Sequence, residues 1–298
     1  MGLERGVLLT YRIKQNLIPW LLLAPALLAI FTFVFLPTFY VIYLSLLHWN
    51  LIAKPRFVGL KNYTSLPQLS GFHSAFVNTI LYSLGVTGTV IPAGLGLAIL
   101  LNQGLAGTKI YRSLLFIPYV LPLVGSGIAW SWLFNRYGFI DNVLHFLGMV
   151  RLHWLGSSHL ALIAVMLVSF WQYLGFYMLI FLGGLQAIDP ILYEAAKMDG
   201  AGSWSTFWHM TLPSLAPSLL FALTTSVIQS FQVFDQIYVM TRGGPGTSST
   251  TLVYFIYSEG FKFYSIGKAS TVSVILLLSL AFITWLQFTL ARRWAVSH

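Results

Sequence analysis

Two helical faces in this sequence carry side chains that could bind a hydroxyl-rich solute. Each face repeats at i, i+3, i+4 and i+7, the spacing of one side of an α-helix. Hydroxyl and amide groups supply hydrogen-bond partners, and a flat ring gives a sugar a surface to stack on. Hydrogen bonding between neighbouring helices, at about 0.6 kcal/mol per contact, explains about half of these residues, so both interpretations stay open. The faces are Ser169, Gln172, Tyr173 and Phe176, and then Ser226, Gln229, Ser230 and Val233.

A second pattern lies in the segment 186–214, here called the connector, which separates two apolar runs. Asp189 followed by Pro190 is typical of an N-cap and a first helical position. Gly200 then predicts a left-handed stop after a short helix. A second short amphipathic stretch follows, and we expect it to end at Pro213. The connector is longer and more patterned than an ordinary helix–helix turn.

Two functions suit a pair of short amphipathic helices between apolar runs. They could lie on lipid headgroups, or they could dock another protein. An interfacial membrane helix usually carries lysine and arginine on its polar face. The first short helix instead carries Glu194 and Asp199 against a single Lys197, which favours a protein partner.

Asp235 is the one ionisable residue inside the apolar runs, near the end of the fifth. A charge at the centre of a bilayer costs about 2.5–3.5 kcal/mol on insertion scales, and less near its edge. Either a structural hydrogen bond to a neighbouring span or a contact with the solute path or a sister subunit would account for it.

Catalytic and metal-binding chemistry is not indicated. There is no cysteine, and the seven histidines are scattered without metal-ligand spacing. No G-x-x-x-x-G-K-[ST] loop occurs, and the near match at Gly267-Lys268-Ala269 lacks the hydroxyl and the glycine spacing. The chain therefore cannot hold ATP phosphates in the usual loop.

Composition shows what must position these groups. Of the 298 residues, 57% are hydrophobic and only 8% are charged, whereas soluble proteins carry about 25% charged residues. So few charges cannot cover a water-exposed surface, which predicts an integral membrane protein. The net charge of +9 is not gathered into a basic stripe, and this argues against nucleic-acid binding.

Six apolar runs are each long enough to cross about 30 Å of hydrocarbon. Lipid offers no partner for unpaired backbone groups, so continuous runs of this length must be helices. The sequence therefore predicts an all-α integral membrane protein with six transmembrane helices, forming one transmembrane domain over residues 1–298. The apolar part of the first run is too long for a signal peptide, so we expect an uncleaved span. The runs are about 17–44, 74–101, 113–134, 160–185, 215–240 and 269–291.

The distribution of lysine and arginine scarcely favours either orientation of the chain in the membrane. Six spans put both termini on one side, and the 16 lysines and arginines then divide eight to eight between the two sides. Only their density near the ends of the spans favours cytoplasmic termini.

Several stretches together resemble one known family in their order and spacing. In the connector they are Glu194-Ala195-Ala196, Asp199-Gly200-Ala201, Phe207 and Leu212-Pro213. Elsewhere they are FVGLKNY at 57–63, FIPY at 116–119, GGLQAI at 183–188, TRGGP at 241–245 and YFIY at 254–257. On these motifs the chain resembles the permease subunits of binding-protein-dependent ABC importers, and most closely those of the carbohydrate type.

The resemblance implies a role for the connector. In that family it faces the cytoplasm and inserts a coupling helix into a groove on the ATPase, which places both termini in the cytoplasm of a prokaryote and the chain in its inner membrane. The implied partners are a sister permease, which in that family is usually a different chain and forms a heterodimer, two ATPase subunits, an extracytoplasmic solute-binding protein and lipid. The chain itself would be no enzyme and hold no cofactor or metal, with ATP and magnesium in the ATPase. The implied coupling residues are Glu194, Ala195, Ala196, Asp199 and Gly200.

The resemblance also raises the solute-binding interpretation of the two faces. It adds Tyr119 from the third run and matches the family's sugar-lining positions at Ser169, Gln172, Tyr173, Phe176, Ser226, Ser230 and Val233. Leu123 replaces a polar residue there, which argues against maltose held in the same way. Because no lysine or arginine lies in any run, we expect a neutral glycoside or polyol rather than glycerol phosphate; the solute itself is left open.

Two other functions compete with this one. A secondary transporter working without an ATPase usually needs several carboxylates or histidines inside its spans, and here there is one. A membrane enzyme would need paired acids or a Ser/His/Asp set near the surface, and the few acids are mostly unpaired. Co-purification with an ATPase would separate the importer from both.

Overall fold

The computed structural model describes residues 19–104 and 106–296, most of them helical. The helices in chain order are α1 (Pro19–Ser45), α2 (Lys61–Ser65), α3 (Phe72–Leu101), α4 (Thr108–Val120), α5 (Leu123–Leu133), α6 (Phe139–Phe146), α7 (Ala161–Gln186), α8 (Pro190–Met198), α9 (Ser203–Ser214), α10 (Ala216–Phe231), α11 (Leu252–Tyr257) and α12 (Ile266–Val296). Between α1 and α2, β1 (Leu47–His48) pairs antiparallel with β2 (Arg56–Phe57). A 3₁₀ turn follows α2 at Leu66–Gln68. π-helical turns lie at Phe31–Phe35, Phe207–Thr211, Ile237–Thr241 and Ser258–Lys262.

The long helices follow the apolar runs. Among the described residues, α1, α3, α7 and α12 are each long and apolar enough to cross a membrane. Two bent pairs, α4 with α5 and α9 with α10, would raise the number from four to six if each pair is one span. The fold is thus that of a helical membrane protein, and the count of six spans stays a prediction.

The third run, predicted as one helix over 113–134, is broken. Helix α4 ends at Val120, α5 begins at Leu123, and their axes differ by 96°. Leu121 is extended, with φ −70° and ψ 141°, because a following proline disfavours the helical conformation. Pro122 also lacks the N–H that would continue the helix.

The fifth run, predicted as continuous over 215–240, is also interrupted. Helix α10 stops at Phe231, and a π-helical turn at Ile237–Thr241 follows the gap. Asp235 therefore lies beyond the end of α10, and its placement within a continuous span was wrong.

The second short helix of the connector ends at Ser214, one residue after the expected stop at Pro213. Helix α9 continues through Pro213 to Ser214 and then bends by 68° into α10. The preceding π-helical turn Phe207–Thr211 widens the backbone, and the N–H of Leu212 bonds to the carbonyl of Phe207. This wider turn gives the ring of Pro213 more room against the preceding carbonyls than a regular α-helix does.

The core lies between α3 and α7, with α4 packed on α7 and α10 packed on α3. Tyr82, Tyr177 and Phe181 are fully buried there. Gly175 lets α4 approach closely, since a Cβ at this position would overlap the carbonyl group of Leu115. Helices α1 and α12 pack on each other at the periphery, and few of the residues in their most apolar stretches are buried. Those surfaces fit lipid or another subunit.

Candidate functional site

The aromatic residues of the first face meet the end of α4. The ring of Tyr119 stacks on that of Phe176 with centroids 4.4 Å apart and 9° between their planes. The ring of Tyr173 meets Tyr119 edge-on at 6.2 Å. These three rings, which the sequence placed in one site, are in contact and are partly exposed.

Gln172 holds the break between α4 and α5. Its Nε2 donates to the carbonyl oxygen of Leu121 at 3.0 Å, which pairs a backbone group freed by the break. The side chain is 1% exposed, and its Oε1 is buried without a hydrogen-bond partner among the described residues. The amide nitrogen of Gln172 thus has a structural role, and its amide oxygen is available to accept a hydrogen bond from a hydroxyl group.

One serine of each face forms a hydrogen bond with α3. Ser169 hydrogen-bonds the hydroxyl of Tyr82, and Ser226 hydrogen-bonds that of Thr87 at 2.9 Å. Sequence reasoning missed Tyr82 and Thr87, because residues five apart on a helix do not share the i, i+3, i+4 stripe that was used as the signal.

The second face joins α7 through another residue that the sequence analysis missed. The hydroxyl of Tyr177 donates to Oε1 of Gln229 at 3.1 Å. Tyr177 lies eight residues after Ser169, so a longer stripe would have included it. Ser230 is buried, and its hydroxyl forms no hydrogen bond with a described residue. The carbonyl of Val233 accepts from Thr251 at 3.2 Å.

Burial divides the nine candidates into two groups. Five are buried by this chain itself, so in this conformation they can support the site but cannot touch a solute. Four are partly exposed and carry a ring or an amide, which suits stacking and hydrogen bonding rather than bond making. The buried group is Ser169, Gln172, Ser226, Ser230 and Val233. The partly exposed group is Tyr119, Tyr173, Phe176 and Gln229.

The connector forms the predicted short helix. An oxygen of the Asp189 side chain accepts from the backbone N–H of Ile191 at 2.9 Å, which caps α8 before Pro190. Gly200 has φ +76°, and the N–H of Ala201 returns to the carbonyl of Ala196 at 2.9 Å. The cap and the left-handed stop are confirmed.

Helix α8 leaves large apolar side chains uncovered by the described residues, although its Tyr193 packs against the core. Ile191 is 66% exposed and Met198 is 89% exposed, and Glu194 and Asp199 are exposed beside them. Ala195 and Gly200 are exposed as well, and Ala196 is partly exposed. An apolar stripe with two acids favours a protein groove over an anionic membrane surface.

The connector touches the bundle around a cavity of about 440 Å³. Asn102 and Gln103 from the end of α3 line one part, and Lys197 and Thr206 line another. The hydroxyl of Tyr193 lies 3.3 Å from that of Thr211 and ties α8 to α9. The two short helices are therefore linked to each other beside a space that is open to the bundle.

Metal chemistry finds no support in the described residues 19–104 and 106–296, where no group of three or more histidines, cysteines or acids could hold an ion.

Comparison with known proteins identifies close relatives. Residues 90–296 match the family model described as binding-protein-dependent transport system inner membrane component. The chain is 36% identical over 265 residues to the sulfoquinovosyl glycerol transport system permease protein of Agrobacterium fabrum, covering 88% of this chain and 86% of that protein. It is 34% identical over 281 residues to the trehalose/maltose transport system permease protein of Thermococcus litoralis, covering 93% and 92%.

A solved structure shares the fold. A chain of a bacterial alginate ABC transporter, crystallised in complex with an alginate pentasaccharide-bound periplasmic protein, superposes with a TM-score of 0.82. The two chains are 21% identical, and the match covers 96% of this chain and 97% of that one.

Proposed function

The chain belongs to the family of binding-protein-dependent transport system inner membrane components, and from this we propose that it forms the translocation path for a sugar, glycoside or polyol. It is the permease of an ABC importer, a translocation subunit, and the ATPase is a separate subunit in homologous systems. The observation that carries the proposed solute class is the match, along most of both chains, to a relative named for the neutral sugars trehalose and maltose.

The partly exposed residues support the chemistry. Tyr119, Tyr173 and Phe176 offer ring faces and Gln229 an amide, the groups that bind a hydroxylated ring. We propose that the solute separates the stacked pair of Tyr119 and Phe176 and reaches the free Oε1 of Gln172. Because the apolar runs hold no lysine or arginine, the solute is neutral.

Coupling to ATP is assigned to α8. Its exposed apolar stripe and its two acids support docking in a groove of the ATPase. In this proposal Glu194 pairs with a basic group of that groove, while Ala195 and Ala196 allow close approach. Asp199 and Gly200 turn the chain back toward α9. The connector is therefore cytoplasmic, and with six spans so are both termini.

The proposed assembly contains this chain, a sister permease and two ATPase subunits that bind ATP and magnesium. A solute-binding protein delivers the solute from outside, as supported by the periplasmic protein in the alginate transporter complex.

The function is tested by reconstituting the complex with its binding protein in liposomes. Uptake of radiolabelled trehalose, maltose, lactose and glucosylglycerol is measured with and without internal ATP. We expect ATP-dependent uptake of at least one of them, and a several-fold lower rate with Tyr173→Ala at limiting solute. No uptake and no stimulation of ATP hydrolysis by any of these solutes would refute the solute class. Uptake by the permease without the ATPase would favour a secondary transporter.

A further inference from the structure

Helix α6 is a short amphipathic helix at the end of the bundle opposite the connector. Helix α7 begins at Ala161 and reaches the connector at Gln186, so the segment 134–160 that precedes α7 lies at the other end. Within this segment, α6 follows α5 after a turn and packs on it. A helix of 8 residues cannot cross a membrane, which leaves the membrane surface or the water outside it as the place of α6.

The inward side of α6 is fixed to the rest of the protein. The carboxylate of Asp141 is fully buried, and its Oδ1 accepts from Trp154 Nε1 at 3.1 Å and from the backbone N–H of Leu152 at 3.3 Å. Ile140, next to Asp141, packs against the hydrophobic core. These contacts fix the rotation of α6 about its own axis and so determine which of its residues face outward.

The outward side of α6 is apolar along one edge and polar along the other. Phe139, Val143 and Phe146 follow one another at i, i+4 and i+7 and are 68%, 41% and 91% exposed. At about 100° per residue these three lie within about 60° of each other, and the exposed His145 lies about 100° farther round the helix. A helix with one side on protein, one apolar side and one polar side suits a membrane interface, where the apolar side enters the acyl chains and the polar side stays in water.

The exposed charge around α6 is positive. Arg136 and Arg151 flank the helix, are exposed, and place their guanidinium groups 5.8 and 5.4 Å from the centre of the Tyr137 ring. Neither arginine forms an ion pair within the described part of the chain. The sole acid of the segment 134–160 is Asp141, whose carboxylate is buried. This is the opposite of α8, where two exposed acids favour a protein groove, and it favours an anionic lipid surface.

Helix α5 leads to this point along an exposed apolar stripe. Val124, Ile128 and Trp132 are exposed at i, i+4 and i+8 on α5, and Tyr137 is exposed just beyond its end. Tryptophan and tyrosine are enriched where a membrane meets water. The stripe therefore ends, immediately before α6, in the two residue types that mark the headgroup region.

We propose that α6 is a lipid-binding helix in the membrane interface opposite the connector. Phe139, Val143 and Phe146 enter the acyl chains, and Arg136 and Arg151 bind the headgroups of anionic phospholipid. The occupant is the lipid surface rather than a soluble binding protein, because an exposed edge of two phenylalanines and a valine next to unpaired arginines matches acyl chains below phosphate groups. The role goes beyond solute transport, since it holds the end of α5 at the membrane surface while α4 moves about the break.

The test uses the permease–ATPase complex in nanodiscs of phosphatidylcholine and phosphatidylglycerol, without the binding protein. This chain has no cysteine, and the other subunits are used in cysteine-free form, so that a bimane fluorophore labels only Val143→Cys or His145→Cys. Quenching by a nitroxide on the lipid acyl chain is compared with quenching by iodide in water. We expect the lipid nitroxide to quench the label in Val143→Cys at least threefold more than that in His145→Cys, and iodide to show the reverse order.

A second measurement tests the two arginines. With the label in Val143→Cys, nitroxide-bearing phosphatidylglycerol should quench at least twofold more than nitroxide-bearing phosphatidylcholine at the same mole fraction. Arg136→Gln combined with Arg151→Gln should abolish this preference. Lys54→Gln combined with Arg56→Gln is the matched control, because these two cations are exposed in the segment between α1 and α2, and it should leave the preference unchanged.

Three results would overturn the inference. Equal quenching of the two labels by iodide would show that α6 lies in water. Little quenching of the label in Val143→Cys by either reagent would show that a protein, such as the sister permease, covers the apolar edge. A preference for phosphatidylglycerol that is absent with the native arginines, or that survives their replacement, would show that they do not select anionic lipid.

Discussion

At the scale of single residues, Gly175 fixes the distance between α4 and α7. A Cβ there would overlap the Leu115 carbonyl, and inserting a methyl group into a packed contact costs about 1–3 kcal/mol. We expect Gly175→Ala to lower the melting temperature of the purified complex and to reduce uptake. Gly183 lies on the same helix with no atom within 4 Å of its would-be Cβ, so Gly183→Ala should be neutral or slightly stabilising. Equal melting temperatures of the two variants would contradict the role of Gly175 in the contact between α4 and α7.

Single residues also show how much of a site can be predicted from the spacing of residues along a helix. The i, i+3, i+4 rule placed Tyr173 and Phe176 on one face, and the resemblance supplied Tyr119, which contacts both. The rule cannot say which helix a face meets. Ser169 and Ser226 therefore turned out to be occupied by hydroxyls of α3, partners that lie far away in sequence and follow no stripe.

At the scale of elements, the broken span formed by α4 and α5 depends on one side chain of α7. Removing the amide of Gln172 leaves the Leu121 carbonyl without its partner, at a cost of about 1–3 kcal/mol when the group is buried. We expect Gln172→Met, which keeps the volume, to lower the melting temperature of the complex. Gln186→Met is the control, because Gln186 is an exposed residue of the same helix. Matching melting temperatures would show that the hydrogen bond does not hold the break.

For the connector, the prediction concerns the coupling of ATP hydrolysis to uptake rather than stability. Gly200 has φ +76° with free space around its would-be Cβ, so Gly200→Val strains the backbone by about 1–2 kcal/mol without a clash. We expect Gly200→Val and Glu194→Lys to leave ATP hydrolysis and solute binding by the binding protein intact but to uncouple hydrolysis from uptake. Gly202→Ala is the control, since Gly202 has φ −71° and open space. Wild-type uptake by both variants would remove α8 from the coupling role.

Helix positions were easier to predict than helix continuity. Apolar length located α1, α3, α7 and α12 to within a few residues, because lipid or core burial demands long unbroken apolar runs. Composition does not indicate where an apolar run bends. Pro118 lies inside α4 without ending it, whereas Pro122 ends the helix before it. The difference depends on tertiary support such as Gln172, which pairs the exposed carbonyl, and no local pattern contains it.

At the scale of the whole molecule, the exposed surfaces indicate an incomplete assembly. In their most apolar stretches, none of the residues of α1 and only 6% of those of α12 are buried, while α8 leaves Met198 89% exposed. Apolar side chains on long helices suit lipid or a sister permease, and those on a short acidic helix suit a soluble partner. Five of the nine candidate residues are buried by this chain's own helices, so exposing them to a solute requires α4 and α7 to move apart. In the proposed function, motion of α8 on the ATPase is transmitted to these helices along the connector.

Orientation in the membrane is the whole-molecule property that charge left undetermined, and the absence of cysteine makes it measurable. Ala53 lies in the exposed segment between α1 and α2, and Ser205 is exposed in the connector. If the connector meets a cytoplasmic ATPase, a membrane-impermeant maleimide should label Ala53→Cys in spheroplasts and label Ser205→Cys only after permeabilisation. The unsubstituted chain is the control and should take no label. The opposite pattern would place the connector outside, where no ATP-hydrolysing partner could reach it, and the coupling role of α8 would have to be abandoned.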